Sequence, residues 1–242
     1  MREFILFLVL MMTIPVSACQ AHEVGGKTSR DVFSDRGVRK LVDAACVGDK
    51  KTIEKLVKKG VDVNSEGLDN VTPLFWVLSC RNIEGLEALL AHGANPNHKI
   101  QWNRTPFTVA ATYDDPRFFW RLLKAGGDVN AVTGYTEETV LMTAFRTGVD
   151  YNVWGQYYML LDAGADINYI TKDREYTLAL FTGILFRRTC KTLELMDRGY
   201  SARLEDLLGY VERFPPSADS PDAKCQEPLI AAIKARIAEQ QK

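Results

Sequence analysis

The five residues Gly164-Ala165-Asp166-Ile167-Asn168 form a short turn that recurs along this chain. Each copy follows an apolar stretch and consists of a glycine and a few mostly polar residues. The other copies are residues 60–64, 93–97 and 127–130, with a weaker fifth copy at 199–201. The glycines at 60, 93, 126, 164 and 199 are 33, 33, 38 and 35 residues apart. A period in this range predicts a stack of structural repeats.

The residues before each turn predict an amphipathic helix in every repeat. Four positions before the glycine the residue is always leucine, and three positions before it the residue is valine, leucine or methionine. These offsets place the side chains on one helical face. The two columns are Leu56, Leu89, Leu122, Leu160 and Leu195, and Val57, Leu90, Leu123, Leu161 and Met196. The glycine then suits the left-handed conformation that ends a helix.

Each repeat also has a first helix, which precedes the helix that ends at the glycine. Thr72-Pro73-Leu74 and Thr105-Pro106-Phe107 each combine a capping threonine with a proline that fits the first helical turn. Start motif, turn and period together resemble the ankyrin repeat over about residues 37–200. The resemblance implies an all-α ankyrin-repeat solenoid of about five helix–turn–helix units, with the turns projecting as tips. The alternative is another solenoid of helix pairs.

The repeat that ends at Gly164 departs from the regular spacing. The segment from Leu141 to Gly164 is four residues longer than the corresponding segments of the two preceding repeats. We expect the extra residues in a loop between the two helices of this unit, within residues 147–154.

The N-terminus predicts export from the cytoplasm. The apolar run of residues 4–12 is too short for a permanent transmembrane helix and long enough for a signal peptide. Val16-Ser17-Ala18-Cys19 resembles a bacterial lipobox, which implies a lipoprotein signal peptide at 1–18 and lipid attachment at Cys19. The alternative is an ordinary cleaved signal with an incidental cysteine. In a Gram-negative host, Gln20 implies the periplasmic side of the outer membrane.

The remaining chain divides into three segments. Residues 19–36 are mainly polar and lack a hydrophobic period, so we expect a tether between the anchor and the folded domain. Residues 37–203 contain the repeats. Residues 204–242 are expected to form a C-terminal helical cap, because Leu229, Ile233 and Ile237 recur at helical spacing and a solenoid needs its open end covered.

Four cysteines remain after Cys19, which is an even number in an exported chain. Cys46 and Cys80 occupy nearly equivalent places late in the first helices of adjacent repeats, so they can meet across the stack. Cys190 and Cys225 would then join the cap to the last repeat. The alternative is four buried thiols, since cysteine is common in protein cores.

The sequence contains no recognisable catalytic or cofactor motif. It has no His-Glu-x-x-His run, no Gly-x-Ser-x-Gly elbow and no glycine-rich phosphate loop. We therefore expect a non-enzyme without cofactor or metal. The net charge of −1 and the pI of about 6.3 argue against binding nucleic acid.

Exposed aromatic and basic residues identify the expected partner-binding surface. In the ankyrin family, partners usually dock on the turn tips and on the exposed face of the first helices. Tryptophan, tyrosine and arginine are the usual hot-spot residues of protein interfaces. The candidates are Trp102, Tyr113, Tyr135, Trp154, Tyr169 and Arg174. The alternative for each aromatic residue is packing against the next tip.

Lipid anchor and repeats together resemble the immunity lipoproteins that accompany type VI secretion phospholipase effectors. The resemblance implies a protein that binds a lipase toxin and blocks it sterically, is held at the membrane by its lipid and is monomeric when free. The alternative function is a general periplasmic scaffold or a protective partner of an envelope enzyme.

Overall fold

The computed structural model describes residues 26–134, 137–172, 177–180 and 186–242. Cys19, Tyr135, Arg174 and the signal peptide at 1–18 lie outside the described residues. The helices are α1 Ser29–Val32, α2 Arg36–Cys46, α3 Lys50–Lys58, α4 Pro73–Cys80, α5 Ile83–Ala91, α6 Pro106–Ala110, α7 Pro116–Lys124, α8 Val140–Tyr151, α9 Gly155–Asp162, α10 Leu178–Leu180, α11 Thr189–Asp197, α12 Leu204–Arg213 and α13 Gln226–Gln240.

Consecutive helices from α2 to α9 pack as pairs, and each pair also contacts the next. The tips between pairs contain 3₁₀ turns at Leu68–Asn70 and Gln101–Asn103. The next tip is an antiparallel hairpin of β1 Val132–Thr133 and β2 Glu138–Thr139, in which Val132 pairs with Thr139. The predicted all-α architecture of stacked helix pairs is thereby confirmed, with this hairpin as its only described sheet.

Glycine ends the second helix of every unit for a conformational reason. Gly60, Gly93, Gly126, Gly164 and Gly199 have φ between 81° and 94°. A Cβ atom at any of the five would meet nothing within 4 Å, so available space does not select glycine. The following amide donates to the carbonyl five residues back, for example from Ala165 N to Leu160 O over 3.0 Å. The left-handed backbone that this cap requires therefore explains the glycine period.

The leucine column lies inside one continuous core. Leu89, Leu122, Leu160 and Leu195 have no exposed surface, and the same hydrophobic cluster extends from Leu41 to Ile233. The positions seven residues before each glycine are also fully buried, although their side chains differ in size and chemistry. They are Ile53, Leu86, Phe119, Tyr157 and Thr192. Every unit therefore depends on its neighbours for burial, as expected for a solenoid.

The predicted tether at 19–36 is wrong over residues 28–33. Thr28 caps the short helix α1, and Val32 and Phe33 are buried. The Phe33 ring packs edge-on against Trp76, with 5.9 Å between ring centroids. Val32 and Phe33 cover the open N-terminal end of the stack. This role does not require a periodic pattern of apolar residues.

The prediction of a longer loop within residues 147–154 is also wrong. The extra residues lengthen α8, which continues to Tyr151. Trp154 then folds back over Gly148, where an added Cβ would lie 2.5 Å from the indole ring. The Thr147 hydroxyl donates to Ala111 O of the preceding unit over 3.0 Å, which ties the extended helix into the stack.

Two disulfides form as predicted. Cys46 and Cys80 join α2 to α4, with 5.2 Å between their Cα atoms. Cys190 and Cys225 join α11 to the turn before α13, with 5.0 Å between their Cα atoms. The second bond is reinforced by the buried Asp222, whose carboxylate accepts the Cys190 amide at 3.0 Å. Helix α13 covers the last unit with Leu229 and Ile233.

We expect Gly164→Ala to lower the free energy of unfolding by about 1 kcal/mol, because alanine is strained in the left-handed conformation. Gly209→Ala is the matched control. Gly209 lies inside α12 with open space around it, so alanine should raise stability by about 0.5–1 kcal/mol. Urea titrations followed by circular dichroism measure both values. A Gly164→Ala protein as stable as its parent would show that the left-handed cap does not select the glycine.

Candidate partner-binding surface

Each of the four stronger copies of the turn is closed by a side chain that accepts a backbone amide two residues later. The Asp62 carboxylate accepts the Asn64 amide at 2.9 Å. The same bond joins residues 95 and 97, 128 and 130, and 166 and 168, at 2.8 to 2.9 Å. Such bonds from aspartate or asparagine side chains stabilise tight turns. In these four turns they hold the backbone of the final asparagine, which is Asn64, Asn97, Asn130 or Asn168.

That asparagine connects its turn to the next repeat. Asn97 Oδ1 accepts the Asp128 amide at 2.9 Å, and Asn97 Nδ2 donates to Gly126 O at 2.8 Å. Asn64 makes the equivalent pair of bonds one repeat earlier. Asn130 accepts the Asp166 amide at 2.8 Å, and Asn168 accepts the Ser201 amide at 2.8 Å. We call this series of bonds the asparagine ladder. It fixes the spacing of successive turns.

Further bonds connect the tips themselves. Gln101 Nε2 donates to Asp69 Oδ1 over 3.3 Å, between the first two tips. The Gly134 amide donates to Trp102 O over 2.9 Å, between the second tip and the hairpin. Lys172 Nζ lies 3.2 Å from the Glu137 carboxylate, between the hairpin and the following tip. The tips therefore form one bonded row.

Large apolar side chains project from this row into solvent. Leu68 is 47% exposed, Trp102 40% and Ile170 45%. Trp102 has a φ of 60°, a left-handed conformation that is uncommon for a bulky residue. The Arg104 guanidinium lies 6.0 Å from the Trp102 ring centroid and 5.8 Å from that of Phe75. We define the tip surface as Leu68, Trp102, Arg104 and Ile170.

The structure places the predicted site residues in different environments. Trp102 lies on the tip surface, and Tyr169 lies partly buried beside Ile170. Tyr113 points inward: its hydroxyl donates to Leu78 O at 3.0 Å, and burial raises its pKa to about 12. Tyr113 thus connects two repeats, because its hydroxyl group bonds to the backbone of the preceding repeat.

Trp154 also has a packing role. It lies at the start of α9 and not on a tip. Its ring lies 5.5 Å from that of Phe145 and 5.9 Å from that of Tyr157. Lys191 Nζ lies 4.8 Å from the Trp154 centroid and 4.5 Å from that of Tyr158. Such contacts stabilise a partly buried ammonium group. Trp154 therefore joins the extended unit to α11.

Leu68 and Ile170 are not among the predicted binding residues, because aromatic and basic residues were expected to dominate the tips. Their signal was an aliphatic residue in the stretch between the end of one turn and the threonine that starts the next unit. Within the described residues, no group of three or more His, Cys, Asp and Glu side chains could hold a metal ion. No helix of this described part is long and apolar enough to cross a membrane.

Comparison with protein families matches residues 41–133 to ankyrin repeats, in three copies. An ankyrin repeat protein of fowlpox virus (strain NVSL) is 29% identical over 103 residues, which are 43% of this chain and 14% of the viral protein. The mouse inactive serine/threonine-protein kinase TEX14 is 29% identical over 98 residues, 40% of this chain and 7% of the kinase. The mouse 2-5A-dependent ribonuclease is 33% identical over 71 residues, 29% of this chain and 10% of the ribonuclease.

The chain thus spans at most 14% of the length of these relatives. Their similarity supports the repeat architecture, and ankyrin repeats typically serve as protein–protein interaction scaffolds without catalytic activity. Residues 41–133 match ankyrin repeats, and the described chain has the all-α fold of stacked helix pairs that is consistent with an ankyrin-repeat solenoid.

Proposed function

We propose that the tip surface binds another protein. The observation that carries this proposal is the bonded row of tips, which presents Leu68, Trp102 and Ile170 to solvent on a preformed scaffold. A rigid surface loses little conformational entropy when a partner binds. Tryptophan and arginine are enriched among residues that dominate binding energy, and Trp102 lies beside Arg104.

We further propose that the partner is a toxin, and that this chain is a periplasm-facing lipoprotein which neutralises it. The candidate is a lipase or phospholipase effector of type VI secretion. Three features support this assignment. They are the lipobox resemblance around Cys19, the resemblance of anchor and repeats together to immunity lipoproteins of this class, and two disulfides, which are typical of oxidising compartments. The tip surface would cover the catalytic cleft or the lipid-access face of the toxin.

The alternative is a general periplasmic scaffold or a protective partner of an envelope enzyme. The same tip surface serves both functions, so they differ in the effect on the partner's activity. A neutraliser abolishes that activity, whereas a scaffold preserves it. The neighbouring gene distinguishes them without an experiment: an adjacent lipase with a Gly-x-Ser-x-Gly motif favours the neutraliser, and a housekeeping operon favours the scaffold.

Deletion of the gene tests the proposed function directly. We expect the deletion strain to be killed in co-culture with its isogenic parent, because the parent delivers a toxin that the deletion strain cannot block. Restoring the gene should restore survival, and a parent without an active secretion system should not kill. Survival of the deletion strain beside a fully active parent would contradict the toxin assignment. The proposed protein binding would then favour the scaffold function.

Replacing one exposed tryptophan locates the binding surface. We expect Trp102→Ala to weaken binding of the partner encoded by the adjacent gene by about 2 kcal/mol, or roughly 30-fold in Kd. Trp120→Ala is the matched control, because Trp120 is 43% exposed but lies on helix α7 instead of a tip. Isothermal titration calorimetry measures both Kd values. An equal loss in the two variants, or no loss in either, would place the interface elsewhere.

A further inference from the structure

A second feature of the surface is a group of cations on the second helices of the first three units. Lys50 Nζ on α3 lies 3.5 Å from Glu87 on α5. The other oxygen of Glu87 lies 2.5 Å from Arg121 Nε on α7. The Arg121 guanidinium lies 5.6 Å from the Trp120 ring centroid. Helix α5 packs against both α3 and α7. None of these three helices contains a residue of the tip surface.

Helix α3 and its C-cap contribute most of the positive charge. They contain five lysines, all exposed, and no arginine. Lys58 pairs with Glu54 at 2.6 Å, and Lys50 pairs with Glu87. No carboxylate of the described residues lies within 4 Å of Lys51, Lys55 or Lys59. Three neighbouring cations on one helix are therefore left without an ion-pair partner among the residues that the structure describes.

Trp120 adds an amphipathic group to this face. Its ring is 43% exposed, and the Lys124 ammonium lies 4.9 Å from its centroid. The nearby Asp115 carboxylate is paired with Arg117 at 2.7 Å, and this contact holds the pKa of Asp115 below its usual value. Glu54, Glu87 and Asp115 are therefore each in contact with a cation. Asp49 caps α3 through Thr52, and Glu84 on α5 is exposed, with no ion pair among the described residues.

We propose that this outer basic patch, defined as Lys51, Lys55, Lys59, Trp120 and Lys124, docks on an anionic phospholipid surface. Charge complementarity selects an anionic partner. Lysine is a flexible, strongly hydrated point charge, which suits a diffuse layer of headgroups better than a fixed arrangement of protein carboxylates. Each lysine near an anionic bilayer adds to the electrostatic attraction, and tryptophan favours the interface between headgroups and acyl chains. The helices would lie on the bilayer and leave the tip surface accessible.

Vesicle flotation tests the proposal with residues 20–242 in every sample, so that neither the apolar leader nor a lipid attached to Cys19 contributes. We expect binding to vesicles of phosphatidylcholine mixed with phosphatidylglycerol, weak binding to phosphatidylcholine alone, and release by salt. The triple variant Lys51→Gln, Lys55→Gln, Lys59→Gln should bind at least about tenfold more weakly. Trp120→Ala should also weaken binding. Circular dichroism verifies that each variant retains its helical content.

A matched triple variant controls for net charge. Arg213→Gln, Lys224→Gln and Lys242→Gln remove the same charge from the C-terminal cap and should bind like the parent. Equal losses in the two triple variants, equal binding to both vesicle types, or no vesicle binding would overturn the proposal. In the last case, an acidic protein surface would replace the phospholipid surface as the expected partner of the basic patch. Affinity for the tip partner should be unchanged in the Lys51, Lys55, Lys59 variant, so this proposal and the proposed function can fail independently.

Discussion

The asparagine ladder is the constraint on which the functional surface depends. Each ladder asparagine is oriented by its own turn and satisfies a backbone amide of the next repeat. Backbone groups in exposed turns usually bond to water, so these bonds convert independent loops into a periodic support. The tip residues project from this support, and their mutual spacing is set by the stacking of the repeats. A binding surface therefore arises from an interaction that contains no binding residue.

The two ends of the stack are closed by different means, because an open repeat exposes its apolar face. Phe33 covers the first unit by packing on Trp76, beside the Cys46–Cys80 disulfide. At the other end α13 covers the last unit, where Asp222 and the Cys190–Cys225 disulfide hold the cap. Each disulfide thus lies near an end of the stack, where burial by neighbouring repeats is least complete.

The sequence predicts those features that repeat or that depend on local backbone geometry. The glycine of every turn reports a left-handed helix cap, and the leucine before it reports the buried face, so the architecture and the disulfide pairs could be predicted. Phe33 was missed because two apolar residues have no period. The Trp154 environment depends on Lys191, which is distant in sequence and can be identified only after folding. Exposed aliphatic residues such as Ile170 resemble core residues until their surroundings are known.

The most direct measurement of the ladder is amide hydrogen exchange in an Asn97→Ala protein. Asn97 accepts the Asp128 amide, whereas Asn130 accepts the Asp166 amide in the following unit. Loss of the Asn97 side chain should therefore accelerate exchange at Asp128 and leave Asp166 unchanged, as measured by nuclear magnetic resonance. Unchanged exchange at Asp128 would contradict the account, because the turn would then keep its conformation without the asparagine that joins it to the preceding repeat.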